Sequence, residues 1–471
     1  MRLARLLLIS AVTIAGDTMA GEPIKLHPEN PHYFLFRGKP TVLITSGEHY
    51  GAVLNLDFDS VPYLEELKKC GFNLTRTFSG TYREIPGSFK IAGNTLAPAP
   101  NRYICPWARS DTPGYFDGGN KFDLSKFDEE YFKRLKDFLT EAQKRGVVVE
   151  FVLFCPNYDE KLWQANPMNA RNNVNGVGNI GLNEPYTLKH ADLLAIQDAF
   201  VRKAVAELNA FDNLHYEICN EPYFGGVTLD WQAHIAGVIV ETETKLPNKH
   251  IIAQNIANGC AKIEKPNPTV SVFNFHYAKP PDCVAVNYAL NKAIAFDESG
   301  FRGSADHPYR TEAWDFIVAG GAVYDNLDYS FTPETEDGTA KPNAPGGGGA
   351  ALRGQFRILM EFICGFDFVK MKPCNETIKG GLPKGATARA LGEPAKAYAV
   401  FIHHPEPPKQ KTEASFDLQL ELPASPGYAA EWVNTLTGKV EKHEEFKHEG
   451  GVKTLTSPPY AGEVALRILA K

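Results

Sequence analysis

Short, almost unbroken apolar runs punctuate the chain from about residue 40 onward, each followed by a longer stretch of mixed character. The runs at 41–45, 72–78, 147–153, 214–218, 250–254, 270–275, 293–296 and 321–324 read as eight strands. Segments at 61–69, 128–144, 188–209 and 231–245, with a last one over 350–364, read as helices. Strands this uniformly apolar suit parallel pairing with both faces covered. Alternation of strand and helix at this spacing fits a closed barrel or an open doubly wound sheet, and periodicity alone does not separate them. The pattern changes after 380–385. Segments such as 396–402 and 415–420 alternate apolar and polar positions between Pro and Gly turns, as antiparallel strands with one buried face do. The expected organisation is a leader over 1–20, a strand–helix domain over 21–380 and a small β-sandwich over 381–471.

A length of 471 residues accommodates one barrel and one smaller domain. The formal net charge of −7 supplies no basic field to hold nucleic acid or an anionic membrane. Arg2 and Arg5 precede an apolar run at 6–12, and Thr18 and Ala20 put small residues at −3 and −1 of a cut after Ala20. That layout predicts a signal peptide and a secreted or periplasmic protein; the run is too short to span a bilayer, and no later segment reads as a span. Eight cysteines are spaced in no zinc pattern. In an exported protein some can pair, but Cys155 and Cys219 lie inside apolar strands and read as small buried side chains.

In a barrel, reacting groups come from the C-terminal ends of strands. Two predicted strands end in glutamate: the fourth runs into Asn220-Glu221-Pro222 and the seventh into Asp297-Glu298-Ser299. Cleaving a glycosidic bond with retention needs two carboxyls about 5–5.5 Å apart, one protonating the leaving oxygen while the other attacks carbon. A lone glutamate at a strand end is more often solvated surface; the constellation changes that weighting.

These residues resemble clan A glycoside hydrolases, the cellulase-like (β/α)8 barrels, over about residues 25–370. The resemblance rests on Asn220-Glu221-Pro222, Glu298, Arg76 at the end of the second strand and His276-Tyr277 after the sixth. It implies a (β/α)8 TIM barrel followed by the small β-sandwich, with Glu221 as acid/base and Glu298, rather than its neighbour Asp297, as nucleophile. It implies Arg76 and Tyr277 beside the nucleophile, His276 in support, and Asn220 facing the sugar 2-hydroxyl. Glu217 is expected deeper in the barrel as a structural carboxylate. The clan's tryptophan after the eighth strand is missing from Val323-Tyr324-Asp325-Asn326-Leu327-Asp328-Tyr329, so Tyr329 is the expected stacking ring. Among the rim aromatics Tyr103, Trp107, Tyr115, Phe116, Trp163, Tyr223 and Phe224, the two nearest strand ends, Trp163 and Tyr223, are the expected subsite walls, with His49 as a further substrate contact. No metal and no cofactor is expected. The C-terminal segment around Glu431-Trp432-Val433-Asn434 resembles the collagen-binding-type β-domain that follows such barrels, and its expected role is to pack on the barrel. The function implied is retaining hydrolysis of a poly- or oligosaccharide. The alternatives are a non-catalytic carbohydrate-binding barrel and a transglycosylase with the same residues.

Overall fold

The computed structural model describes residues 21–342, 345–406 and 414–471; the expected signal peptide lies outside them. Eight parallel strands form one sheet: β1 (Leu43–Gly47), β2 (Leu74–Phe78), β3 (Val148–Phe154), β4 (Leu214–Cys219), β5 (Ile252–Asn258), β6 (Val272–His276), β7 (Ala293–Ser299) and β8 (Val323–Leu327). The sheet runs β1-β8-β7-β6-β5-β4-β3-β2, so each strand neighbours the next in sequence and the first and last in the list face each other. Asn73 closes that seam. Its amide donates to Val42 O at 2.8 Å and accepts from Ile44 N at 3.0 Å, doing with one side chain what a strand ladder does elsewhere. The barrel, not the open sheet, is therefore the architecture.

Helices α1 (Ser60–Cys70), α2 (Glu129–Arg145), α3 (Ala191–Leu208), α4 (Leu229–Glu243), α5 (Asp282–Asn287), α6 (Asp306–Val318) and α7 (Ala350–Cys364) flank the strands. Local chemistry sets their ends. Asp59 and Asp128 cap the first N–H groups of α1 and α2, and Gly71 and Gly146 end both in the left-handed conformation, which costs glycine no Cβ clash. None of the helices is long and apolar enough to cross a membrane among the described residues.

The antiparallel strands of the C-terminal unit begin at Lys372–Pro373, ahead of the expected 381, and form a six-stranded and a three-stranded sheet. Leu418, Leu420 and Leu455 of the small sheet share a core with Val400, Ile402, Trp432 and Leu466 of the large one, which makes the unit a sandwich. It is docked on α6. Trp314 stacks on Phe401 with ring centroids 5.5 Å apart, Arg389 reaches Asp315 at 3.1 Å, and Arg310 pairs with the buried Glu463. All eight cysteines are free thiols, and Cys155 and Cys219 are buried as expected.

Candidate active site

The C-terminal ends of the strands turn polar, and there the side chains of the site converge. Arg76 lies within β2, Asn220 and Glu221 directly follow β4, His276 ends β6 with Tyr277 next, and Glu298 lies within β7. Five non-glycine residues that line the cleft have positive φ: Phe89 (52°) and Phe301 (58°) on its outer loops, and three that belong to the site, Tyr50 (59°), Glu221 (38°) and Tyr277 (52°). Such backbone costs of order 1–3 kcal/mol per residue and persists only where the surroundings impose it. Each of the three is either one of the two glutamates or donates a hydrogen bond to Glu298.

Glu298 accepts from Tyr277 Oη at 2.6 Å and from Tyr50 Oη at 3.0 Å. Arg76 Nη1 stands 3.6 Å away and His276 Nδ1 3.4 Å. Burial pushes this carboxyl's pKa up, but the His276 charge and hydrogen bond, then Arg76 and Tyr277, outweigh it and hold Glu298 well below the ordinary range. Glu221 accepts from Tyr158 Oη at 2.7 Å and Tyr223 Oη at 3.0 Å, with His276 Nδ1 at 3.1 Å. One carboxylate oxygen of each glutamate and a ring nitrogen of His276 all lie within 4.8 Å of one another. Burial disfavours charge on His276, yet Glu298 and Glu221 raise its pKa well above the usual value; it sits between them as an imidazolium.

Beneath this pair lies a second, fully buried layer. Arg76 donates twice to Glu217 Oε2, at 2.5 and 2.9 Å, and to Asn220 Oδ1 at 2.8 Å, and stands 3.6 Å from Asp297. Its closest partner is thus Glu217, the carboxylate expected deep in the barrel. Burial, opposed by Arg76, leaves Glu217 at about 8 and Asp297 at about 6. Glu150, Glu217 and Asp297 form a second set of three donors within 4.8 Å of one another. Sequence spacing gave no sign of either donor set, because the members come from different strands. In the second set both Arg76 bonds fall on Glu217 Oε2, so that oxygen is already engaged.

The two glutamates open into a cleft of about 460 Å³ that is also lined by His49, Tyr50, Phe78, Tyr82, Glu84, Phe89, Tyr158, Asn220, Phe224, Tyr277 and Phe301. His49 is where the sequence put it. Tyr223 stands at the rim, bonded to Glu221 and Asn258. Trp163 does not reach the cleft: it is 1% exposed, with Nε1 bonded to Ile180 O, because the short helix Glu160–Ala165 turns its ring into the core. Tyr329 is buried against His49, at 5.8 Å between ring centroids, and borders the neighbouring cavity instead. Tyr103, Trp107 and Tyr115 are buried around the hairpin Trp107–Pro113/Asn120–Phe127. The residues missed from sequence are Tyr50, Tyr158 and Glu84. Tyr50 and Tyr158 follow β1 and β3 within a few residues, the same signal that selected Glu221 and Trp163, and Tyr158 stands nearer the end of β3 than Trp163 does.

No protein-family model and no curated protein matches the chain. Among solved structures, a Bacteroides vulgatus protein described as a glycoside hydrolase superposes with a TM-score of 0.67 at 13% identity, covering 97% of this chain and 84% of that one. A glycoside hydrolase family 5 protein of the same organism gives 0.63 at 13% identity, with 95% and 94% covered. The likeness extends over barrel and sandwich alike, so the class defined here is a (β/α)8 barrel with a C-terminal β-sandwich, the architecture of those hydrolases.

Proposed function

We propose that the chain is a retaining glycoside hydrolase in which Glu298 attacks the anomeric carbon and Glu221 serves as acid, then base. The observation that carries this is the pairing of the two glutamates: oxygens within 4.8 Å of each other, with Arg76 beside Glu298 alone and His276 shared between the two. A nucleophile must be ionised before it attacks, and Tyr277, Tyr50, Arg76 and the His276 imidazolium keep Glu298 so. Glu221 is instead flanked by the hydroxyls of Tyr158 and Tyr223. Each hydroxyl can donate or accept, so both follow the carboxyl as its proton leaves and returns. In the first step the bond from Glu298 to carbon forms as the glycosidic bond breaks and Glu221 hands its proton to the leaving oxygen. In the second, Glu221 takes a proton from water as the water oxygen displaces Glu298. Asn220, fixed by Arg76 and donating to Tyr158 Oη at 2.8 Å, is placed to meet the sugar 2-hydroxyl. The substrate class is a poly- or oligosaccharide, no metal is required, and the leader pattern at 1–20 supports a secreted or periplasmic enzyme.

Glu298→Gln is expected to lower kcat by several powers of ten with the fold intact, because an amide forms no glycosyl ester. Glu221→Ala is expected to spare activated aryl glycosides and to be rescued by azide, giving a glycosyl azide of the substrate's own anomeric configuration. An NMR time course showing the opposite anomer would remove the double-displacement reading.

A further inference from the structure

The cleft ends against a wall built by two loops that meet over β1. The loop after β2 folds back so that the Thr95 hydroxyl lies 2.5 Å from a Glu48 carboxylate oxygen and Asn55 Nδ2 donates to Thr95 O at 3.0 Å. Glycine permits the contact at both points. A Cβ on Gly51 would stand 2.2 Å from the Thr95 carbonyl, and one on Gly93 2.5 Å from Thr332 Cγ2 in the loop after β8. A separate cavity, bordered by Gly93, Asn94, Tyr329 and Thr332, lies beyond this bridge.

On the cleft side of the bridge stands Glu84. Its side chain is 3% exposed, held by Asn94 Nδ2 at 2.5 Å on Oε2 and facing His49 Nε2 at 3.3 Å on Oε1. Each carboxylate oxygen accepts along two directions; Oε1 also takes the Tyr82 hydroxyl at 3.4 Å and is filled, while Oε2 keeps one free acceptor site at the edge of the cleft. Glu221, after β4, protonates the leaving oxygen, so the leaving group departs on its side. The ring attacked by Glu298 then points the other way, toward β8, β1 and β2, where the bridge stops it.

We propose that the cleft is the blind pocket of an exo-acting enzyme, in which Glu84, oriented by His49, Tyr82 and Asn94, accepts a hydrogen bond from one hydroxyl of the terminal, non-reducing sugar. The proposal rests on the retaining-hydrolase reading and deepens it: the terminal sugar meets the wall, and the hydroxyl beside Glu84 is what the wall reads.

The test uses the full chain and the sugar found by an aryl-glycoside screen. With a reducing-end-labelled oligosaccharide of that sugar, the labelled chain should shorten one residue at a time, with monosaccharide as the only early unlabelled product. Internal fragments in the first turnovers overturn exo action. On wild type, a series of monodeoxy aryl glycosides should contain one member, lacking the hydroxyl that Glu84 reads, that loses about 10- to 100-fold in kcat/KM; a uniform response around the ring overturns the Glu84 contact. Glu84→Gln and Glu84→Ala should lose kcat/KM on the parent glycoside but little more on that deoxy analogue, whereas a mere brace for the loop would cost both substrates equally. If no glycoside is cleaved by wild type and Glu298→Gln is indistinguishable from it, the hydrolase reading falls and takes the pocket with it. Internal cleavage that Glu298→Gln abolishes sinks the pocket alone.

Discussion

At the scale of single residues, the site separates two glutamates of the same chemistry by what surrounds them. Glu298 collects two tyrosine hydroxyls, an arginine and an imidazolium; Glu221 has hydroxyls and a share of His276. Tyr277→Phe deletes one donor to a carboxylate, an interaction of about 1.5–3 kcal/mol, so kcat/KM should fall roughly 10- to 100-fold. The donors are what hold the Glu298 pKa down against burial. Removing one raises that pKa, and the acid limb of the kcat/KM–pH profile should move to higher pH. A profile that falls in height without shifting would mean Tyr277 positions substrate and does not tune Glu298. Much of this was legible in the chain: Glu221 and Glu298 from their places at strand ends, and Arg76, Asn220, His276 and Tyr277 through the family resemblance; all six converge on one mouth. Tyr50 and Tyr158 were not, because nothing in a lone tyrosine says whether its hydroxyl reaches a carboxylate; that depends on the backbone turning to φ 59° at Tyr50. Trp163 misled for the converse reason, since a large apolar ring is as well served by a core as by a cleft.

At the scale of elements, all eight strands were legible, yet most of them extend farther toward their C-terminal ends than the apolar runs suggest. The run 293–296 becomes Ala293–Ser299, 250–254 becomes Ile252–Asn258 and 321–324 becomes Val323–Leu327. Seven of the ten added residues are polar: Asp297, Glu298, Ser299, Asn255, Asn258, Asp325 and Asn326. They crowd the mouth of the barrel, so a reading by hydrophobicity stops where the candidate site starts. Helix α6 escaped for a different reason. Arg310, Thr311, Glu312 and Asp315 are buried along with its apolar residues, because the sandwich covers the face a barrel helix normally shows to water. With polar side chains on a buried face, no amphipathic stripe remains to be read. The seam between β1 and β2 is the element-scale weak point, since Asn73 supplies its bonds to Val42 O and Ile44 N. Asn73→Ala leaves a donor and an acceptor unpaired there and should cost about 1–3 kcal/mol for each group that water cannot reach. Urea unfolding monitored by fluorescence measures it; a loss below half a kcal/mol would mean that the strands pair directly once the side chain is gone.

At the scale of the whole molecule, the barrel buries an unusual number of ionisable groups, and their balance sets how stability responds to pH. Burial, against the hydrogen bonds of Thr95, Gly51 and Ala52, raises Glu48 to about 7, while Glu217 stands at about 8 and Asp297 at about 6. Above their unfolded values of about 4 to 4.5, the folded protein holds protons on these carboxyls that the unfolded chain has released. Stability therefore falls as pH rises from there to about 8. His276 and His49 act in the same direction: burial lowers their pKa values, but the facing carboxylates raise them above the usual value. Their contribution is complete below about 6.5 and is lost as pH climbs through the folded values. Glu298, Glu150 and Glu463 are held low despite burial, by His276, by His215 and by His307 with Arg310 respectively. Their contribution is present above about 4.5 and disappears as pH falls below it. The first two sets make stability decline from about pH 5 toward pH 8–9, and the third makes it fall again on the acid side of about 4.5. Calorimetric Tm measured from pH 4 to 9 tests this, and a Tm that is flat or rising between pH 5.5 and 8 would contradict it. Glu48 lies apart from the glutamate pair, so Glu48→Gln should remove its share of the slope between about pH 4.5 and 7 and leave the alkaline part, which belongs to Glu217 and the two histidines.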